Sequence, residues 1–137
     1  MANFEIAFKR REPIEGGWSG EAEDDGNWTG AKQGVGYLVG TNRGITAWEY
    51  SKFLQHEASI KEMKNMPREH AMQIFKAEYW DKIKGDLIVN QGIANDLYDT
   101  AVNQGLITGI KQIQEAAGIA LTGKVDELTL KTLNNQA

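Results

Sequence analysis

Cysteine is absent from this 137-residue chain, which excludes a disulfide framework and any thiolate metal site. The absence fits manufacture in a reducing cytoplasm. Basic charge is not in excess either: 15 Lys and Arg stand against 19 Asp and Glu, for a net charge of −4. A general nucleic-acid binder carries a basic patch, so that class loses weight, as does attachment to an anionic membrane surface. Long apolar runs are missing too. No stretch approaches a membrane span, and the opening MANFEIAFKRREPIEGG lacks the apolar centre of a secretory signal. A chain of this kind acting outside the cell needs a separate way out. Only two histidines occur, His56 and His70. His56-Glu57 begins like a zinc-protease helix, but position 60 is Ile, so no metal site is expected. There is no G-x-S-x-G elbow and no phosphate loop with its lysine.

What remains is ordinary for a folded domain: 41% hydrophobic and 25% charged residues. The length suits one domain with a real core. Residues 3–14 read as a helix capped by Asn3, with Phe4, Ala7, Phe8 and Arg11 along one side. Continuing that side by four residues reaches Glu15, and Gly16-Gly17 then stop the helix. From Trp18 to Ile45 glycine recurs at positions 20, 26, 30, 34, 36, 40 and 44, which predicts a long loop or a short hairpin. The phrase GVGYLVGT offers a strand or two. Loops of this length in compact domains are usually functional.

Helices dominate the rest. Thr46 caps one expected to reach about Ala58, with Trp48, Phe53 and Leu54 as apolar contacts. Pro67 suits the first turn of the next, whose face is Ala71, Ile74, Phe75, Tyr79 and Ile83. Residues 89–104 carry a wide apolar stripe, Ile93, Ala94, Leu97, Tyr98, Ala101 and Val102, the mark of a buried central helix. Short helices opened by Thr108 and Asp126 follow.

Three groups of residues have chemical promise. Glu15 leaves a helix end between Ile14 and Gly16-Gly17-Trp18, where a carboxylic acid can meet a substrate closely. Cleavage of a glycosidic bond needs such an acid to protonate the leaving oxygen, and a second carboxylate to handle water or positive charge. A glutamate before two glycines is more often a solvated helix terminus, so spacing alone does not decide the matter. The acidic run Glu21, Glu23, Asp24, Asp25 before Gly26 offers the second carboxylate. It also reads as a solvated loop, and it lacks the closing glutamate of a calcium loop. Among the aromatics, core packing accounts for Trp48 and Tyr79. Trp18 and Trp28, in the glycine-rich segment, suit a surface on which sugars stack.

Five segments in order carry a family resemblance. Glu15-Gly16-Gly17-Trp18 is followed by an acidic stretch ending at Asp25-Gly26, and then by Gly40-Thr41-Asn42-Arg43-Gly44-Ile45-Thr46. Downstream come Ala77-Glu78-Tyr79-Trp80 and the run from Ile93 to Gly105. Together they resemble glycoside hydrolase family 108, and the tail from Lys111 to Leu133 is similar to the peptidoglycan-binding segment that follows the catalytic part. Where the family often has two glycines, this chain has Gly26-Asn27.

The resemblance implies a mainly α, lysozyme-like domain with a Gly-rich loop or short hairpin after the first helix. Residues 1–84 would form the muramidase part and 85–137 a helical wall-binding part packed with it. The implied reaction cuts the β-1,4 bond between N-acetylmuramic acid and N-acetylglucosamine in peptidoglycan glycan strands, with no cofactor, metal, nucleic acid or membrane insertion. Glu15 would be the acid, Asp25 or Asp24 the supporting carboxylate, and Thr41 a supporting residue. Gly16, Gly17, Trp18, Trp28, Trp80 and Asn103 would contact substrate. Family members include phage endolysins and proteins labelled secretion activators, so release to the wall through a holin or another export route is expected. The competing reading is a non-catalytic wall-binding or secretion-accessory protein of the same fold.

Overall fold

The computed structural model describes residues 1–135. Gln136 and Ala137, the end of the expected 85–137 part, lie outside the described residues. The chain is mainly α-helical, as the sequence predicts. Helices α1 (Phe4–Glu15), α2 (Ala47–Leu54), α3 (Ile60–Lys64) and α4 (Arg68–Phe75) are followed by a π-helical turn, Lys76–Trp80. After it come α5 (Gln91–Gln104), α6 (Leu106–Ala117) and α7 (Glu127–Asn135). The chain packs as two compact units: Glu12–Ile74, and Met1–Arg11 with the chain from Phe75 onward.

The unit built from Glu12–Ile74 is irregular in its first half. Gly16, at φ +75°, ends α1 as its position before the loop predicts. The expected strands do not form. Among the described residues only isolated bridges pair the loop, at Ser19 with Thr41, Trp28 with Leu38 and Asn42 with Ile45. Gly34, Gly36 and Gly40 all take positive φ, so the GVGYLVGT phrase leaves the extended region three times and cannot run as a strand.

Beyond the loop, local chemistry sets the helices. Thr46 accepts from the Glu49 amide while Glu49 reaches back to the Thr46 amide, a complete capping box for α2. Ser59 and Glu62 repeat it for α3. Helix α2 stops at Leu54 rather than near Ala58, because Gln55 turns left-handed at φ +65°. Trp48 is 43% exposed, with the Lys52 ammonium 4.3 Å from its ring centroid, which corrects its assignment to the core. The core here includes Val39, Ile45, Ala47, Met63, Ala71 and Ile74. Half-buried His70 Nδ1 lies 2.7 Å from the Tyr50 hydroxyl, and burial raises the Tyr50 pKa above its ordinary value, with Glu62 adding to the effect.

The second unit is built around aromatic rings. Phe4 meets Phe8, Trp80 and Tyr98 at centroid distances of 5.6, 5.8 and 5.9 Å. Phe8 meets Phe75 at 6.0 Å. These separations lie within the favourable range for tilted and edge-on pairs. The expected face through Tyr79 and Ile83 is interrupted, because the Asp81 amide bonds to the Lys76 carbonyl, five residues back. The wider turn leaves Trp80 fully buried and Tyr79 only half-buried. In α5, Ala94, Leu97, Tyr98 and Ala101 are buried, as their spacing predicts. Helix α6 crosses it closely at Gly109, where a β-carbon would lie 2.9 Å from the Ala101 α-carbon.

The tail is tied by one buried side chain. Gln114 Nε2 lies 2.9 Å from Thr122 Oγ1, the Lys124 carbonyl oxygen and Thr129 Oγ1 and shares its two hydrogens among them, and its oxygen accepts from the Gly123 amide. Asp126 accepts from the Thr129 hydroxyl and amide at the start of α7, as a residue opening a helix should.

Candidate active site

Glu15 is the last residue of α1 and is half-buried. Its carboxylate packs against the backbone of Gly44, so tightly that a β-carbon there would lie 2.2 Å from Oε2. Gly44 has φ +77°, a second reason for glycine. The glutamate of the first family-like segment and the glycine of the third therefore meet, although nothing local in the sequence joins them.

The loop is tied to this corner by a ladder of short contacts. Ser19 and Thr41 exchange both backbone bonds, at 2.9 and 2.8 Å. The Trp18 indole donates to the Val39 carbonyl at 2.9 Å, and Gly20 and Gly40 approach the ring where a β-carbon would collide with it. Trp18 stays 39% exposed, with the Lys64 ammonium 4.4 Å from its ring centroid. Gly16 and Gly17 are exposed, with open space where side chains would stand.

Both acidic candidates lie at one tight turn. Asp24 caps a 3-10 turn, Asp25–Asn27, by accepting from the Gly26 amide at 2.9 Å. Asp25 accepts from the Gln33 amide at 2.9 Å. Both are exposed. Thr41 holds this turn rather than standing apart, since its hydroxyl donates to Asn27 Oδ1 at 2.6 Å. Trp28 is half-buried and donates to the Ala22 carbonyl.

Two expected substrate contacts lie in the other compact unit. Asn103 is exposed on α5. Trp80 is 0% exposed and donates its indole N–H to Asp86, so it offers no face to a sugar, which corrects that assignment. The cause is the π-helical turn, which directs the indole into the aromatic core.

Sequence reasoning missed several residues here. Asn27 is fully buried; its side chain donates to the Glu21 carbonyl, and its own carbonyl accepts from the Val39 and Gly40 amides. Its signal was the family departure at Gly26-Asn27. Glu12, one turn before Glu15, accepts from Arg68 Nε at 2.7 Å and lies 3.6 Å from an Arg43 guanidinium nitrogen. Arg43 takes φ +52° and also donates to the Met66 carbonyl, which fixes the turn beside Gly44. The three-residue spacing of Glu12 and Glu15 was the available clue.

A helical domain that presents a carboxylate at the end of its first helix, braced by a glycine-lined loop with an exposed tryptophan, fits the class of carbohydrate-cleaving enzymes. The family model for glycosyl hydrolase 108 matches residues 12–105, and the chain belongs to that family; it is a glycoside hydrolase. Among solved structures, that of Brucella abortus SagA is similar, with a TM-score of 0.72 and 26% identity over 98% of this chain and 70% of that one. No curated protein sequence matches the chain.

Proposed function

We propose that this glycoside hydrolase is a muramidase, cutting the β-1,4 bond between N-acetylmuramic acid and N-acetylglucosamine in peptidoglycan. Glu15 acts as the general acid. The observation carrying this reading is its carboxylate, lodged at a helix end against a glycine that leaves it room. Asp24 or Asp25 is the supporting carboxylate. Each gives one oxygen to a backbone amide, which orients the carboxylate and leaves its other oxygen for water or for developing positive charge. Thr41 positions that turn through Asn27. Trp18 supplies the stacking surface, beside glycines that keep the approach open. The residues after 84 contact the wall without taking part in the chemistry.

The test is release of reducing sugar ends from purified peptidoglycan by wild type and Glu15→Gln. The amide keeps the shape and loses the proton, so the rate should fall by roughly 10²–10⁴-fold with the melting temperature unchanged. Wild-type activity in the variant would refute the assignment. Release of N-acetylglucosamine reducing ends instead of muramic ends would refute the bond specificity. Sedimentation of both proteins with the wall, without release of ends by either, would make this a wall-binding protein.

A further inference from the structure

We propose that the unit containing α6 has a binding site for a single anionic amphiphile, a molecule with a hydrocarbon chain and a carboxylate or phosphate head. Its basis is a cavity of about 770 Å³, within the roughly 300–1,000 Å³ typical of small-molecule sites. Leu106, Ile107, Ile110 and Val125 line it with hydrocarbon. Ile107 is 61% exposed, so this apolar surface is left uncovered by the chain's own packing.

The rim is cationic. Lys84, Lys111 and Lys124 line the same cavity, and among the described residues none of their ammonium groups has an ion pair or hydrogen bond. The acid at the rim does not oppose an anion strongly, because Asp81 is met by Lys76 at 2.9 Å. Lys82 leans on Glu78 at 3.8 Å and contributes less. Three unpaired cations around an aliphatic floor complement a negatively charged head on an apolar body.

A peptide is a poorer occupant, because two polar groups of the floor are already used. Thr122 Oγ1 is engaged by Gln114 and Asp126, and the Gly123 amide by the Gln114 oxygen. These two groups therefore offer no free partner to a peptide backbone, whose buried amides need one. Hydrocarbon makes no such demand. The net charge of −4 disfavours broad adhesion to an anionic surface, whereas this site needs only a local positive rim.

The experiment titrates the full chain with sodium dodecanoate below its micelle-forming concentration, followed by calorimetry and by amide chemical shifts. Saturable one-to-one binding is expected, on the order of 100 μM or tighter, with shifts centred on residues 106–111 and 122–125. Acetate, which lacks the chain, and dodecyltrimethylammonium, which lacks the anion, should not saturate at these amides. The triple change Lys84→Gln, Lys111→Gln, Lys124→Gln should weaken dodecanoate by about tenfold or more while the fold is kept. Ile107→Asp, on an exposed side chain, should weaken it comparably. Absence of saturation, shifts elsewhere, or affinity unchanged in both variants would overturn the proposal. So would binding confined to phosphatidylglycerol vesicles, which would indicate a membrane-facing surface, or tighter binding of an acidic hexapeptide than of dodecanoate.

Discussion

Replacing Gly44 by alanine sets a methyl carbon 2.2 Å from Glu15 Oε2, where ordinary contact begins near 3.4 Å. The carboxylate must therefore retreat by about 1 Å, and a misplacement of that size can lower a catalytic rate by roughly 10²-fold. Retreat is open to it because the clash falls on the far end of a flexible side chain; the Glu15 carboxyl carbon is already 3.1 Å away and its β-carbon 3.5 Å. The backbone cost is separate. Alanine at φ +77° costs about 1–2 kcal/mol, or a few degrees in melting temperature. Gly34 separates the two effects, since it has φ +83° and nothing within 4 Å of where its β-carbon would stand. Gly34→Ala should lose the same few degrees and keep its activity. Gly44→Ala should lose those degrees and about two orders of magnitude in reducing-end release. The reasoning fails if the two variants are equally active, because the Glu15–Gly44 approach would then not set the position of the acid.

Three further predictions concern the other unit. Gly109→Ala gains about 1 kcal/mol of helix propensity but drives a methyl against Ala101 backbone atoms at 2.9 Å, so urea unfolding should show a net loss of roughly 1–2 kcal/mol; equal or higher stability would refute the close crossing. Gln114→Leu leaves the buried Gly123 amide without its partner, at about 1–3 kcal/mol, while the Lys124 carbonyl keeps the Asp126 amide and the Thr122 hydroxyl, and a melting temperature within a degree of wild type would contradict the network. The Thr129 hydroxyl, the Thr129 amide and the Thr122 hydroxyl, in that order, hold the Asp126 pKa below its ordinary 3.8. A depressed folded-state pKa gives stability that is present above the unfolded value and lost as pH falls through the folded one. Asp126→Ala should thus lower the melting temperature most near neutral pH and progressively less below about pH 4; a difference that stays constant down to pH 2 would contradict this.

Features encoded within a few residues were readable from the sequence. Asn3, Thr46 and Asp126 cap the helices they precede, Gly16 ends the helix before it, and the α5 stripe is buried. Helix α3 escaped because five residues hold too little of a 3.6-residue period to register. The two misread tryptophans failed for another reason. An indole's burial depends on what the distant chain brings to it, so Trp48 faces outward although it lies on a good helix, and Trp80 turns inward at a π-helical turn that has no residue signature. At the candidate site, Glu15 and its flanking glycines were legible from composition and order. The approach of Gly44, the pinning of the turn by buried Asn27, and the Glu12–Arg68 ion pair depend on pairings across the loop that no local pattern states.

The Gln114 tie gives the tail an internal reporter. Gly123 lies outside any helix, where amide hydrogens ordinarily exchange with solvent almost at once, yet its N–H is buried and bonded to a side-chain oxygen. Its exchange therefore requires Gln114 to let go, an opening that also breaks the Gln114 contacts to the Lys124 carbonyl and the Thr129 hydroxyl. A single slow amide in an irregular segment, timed by deuterium uptake, would measure the local unfolding of the whole α6–α7 connection.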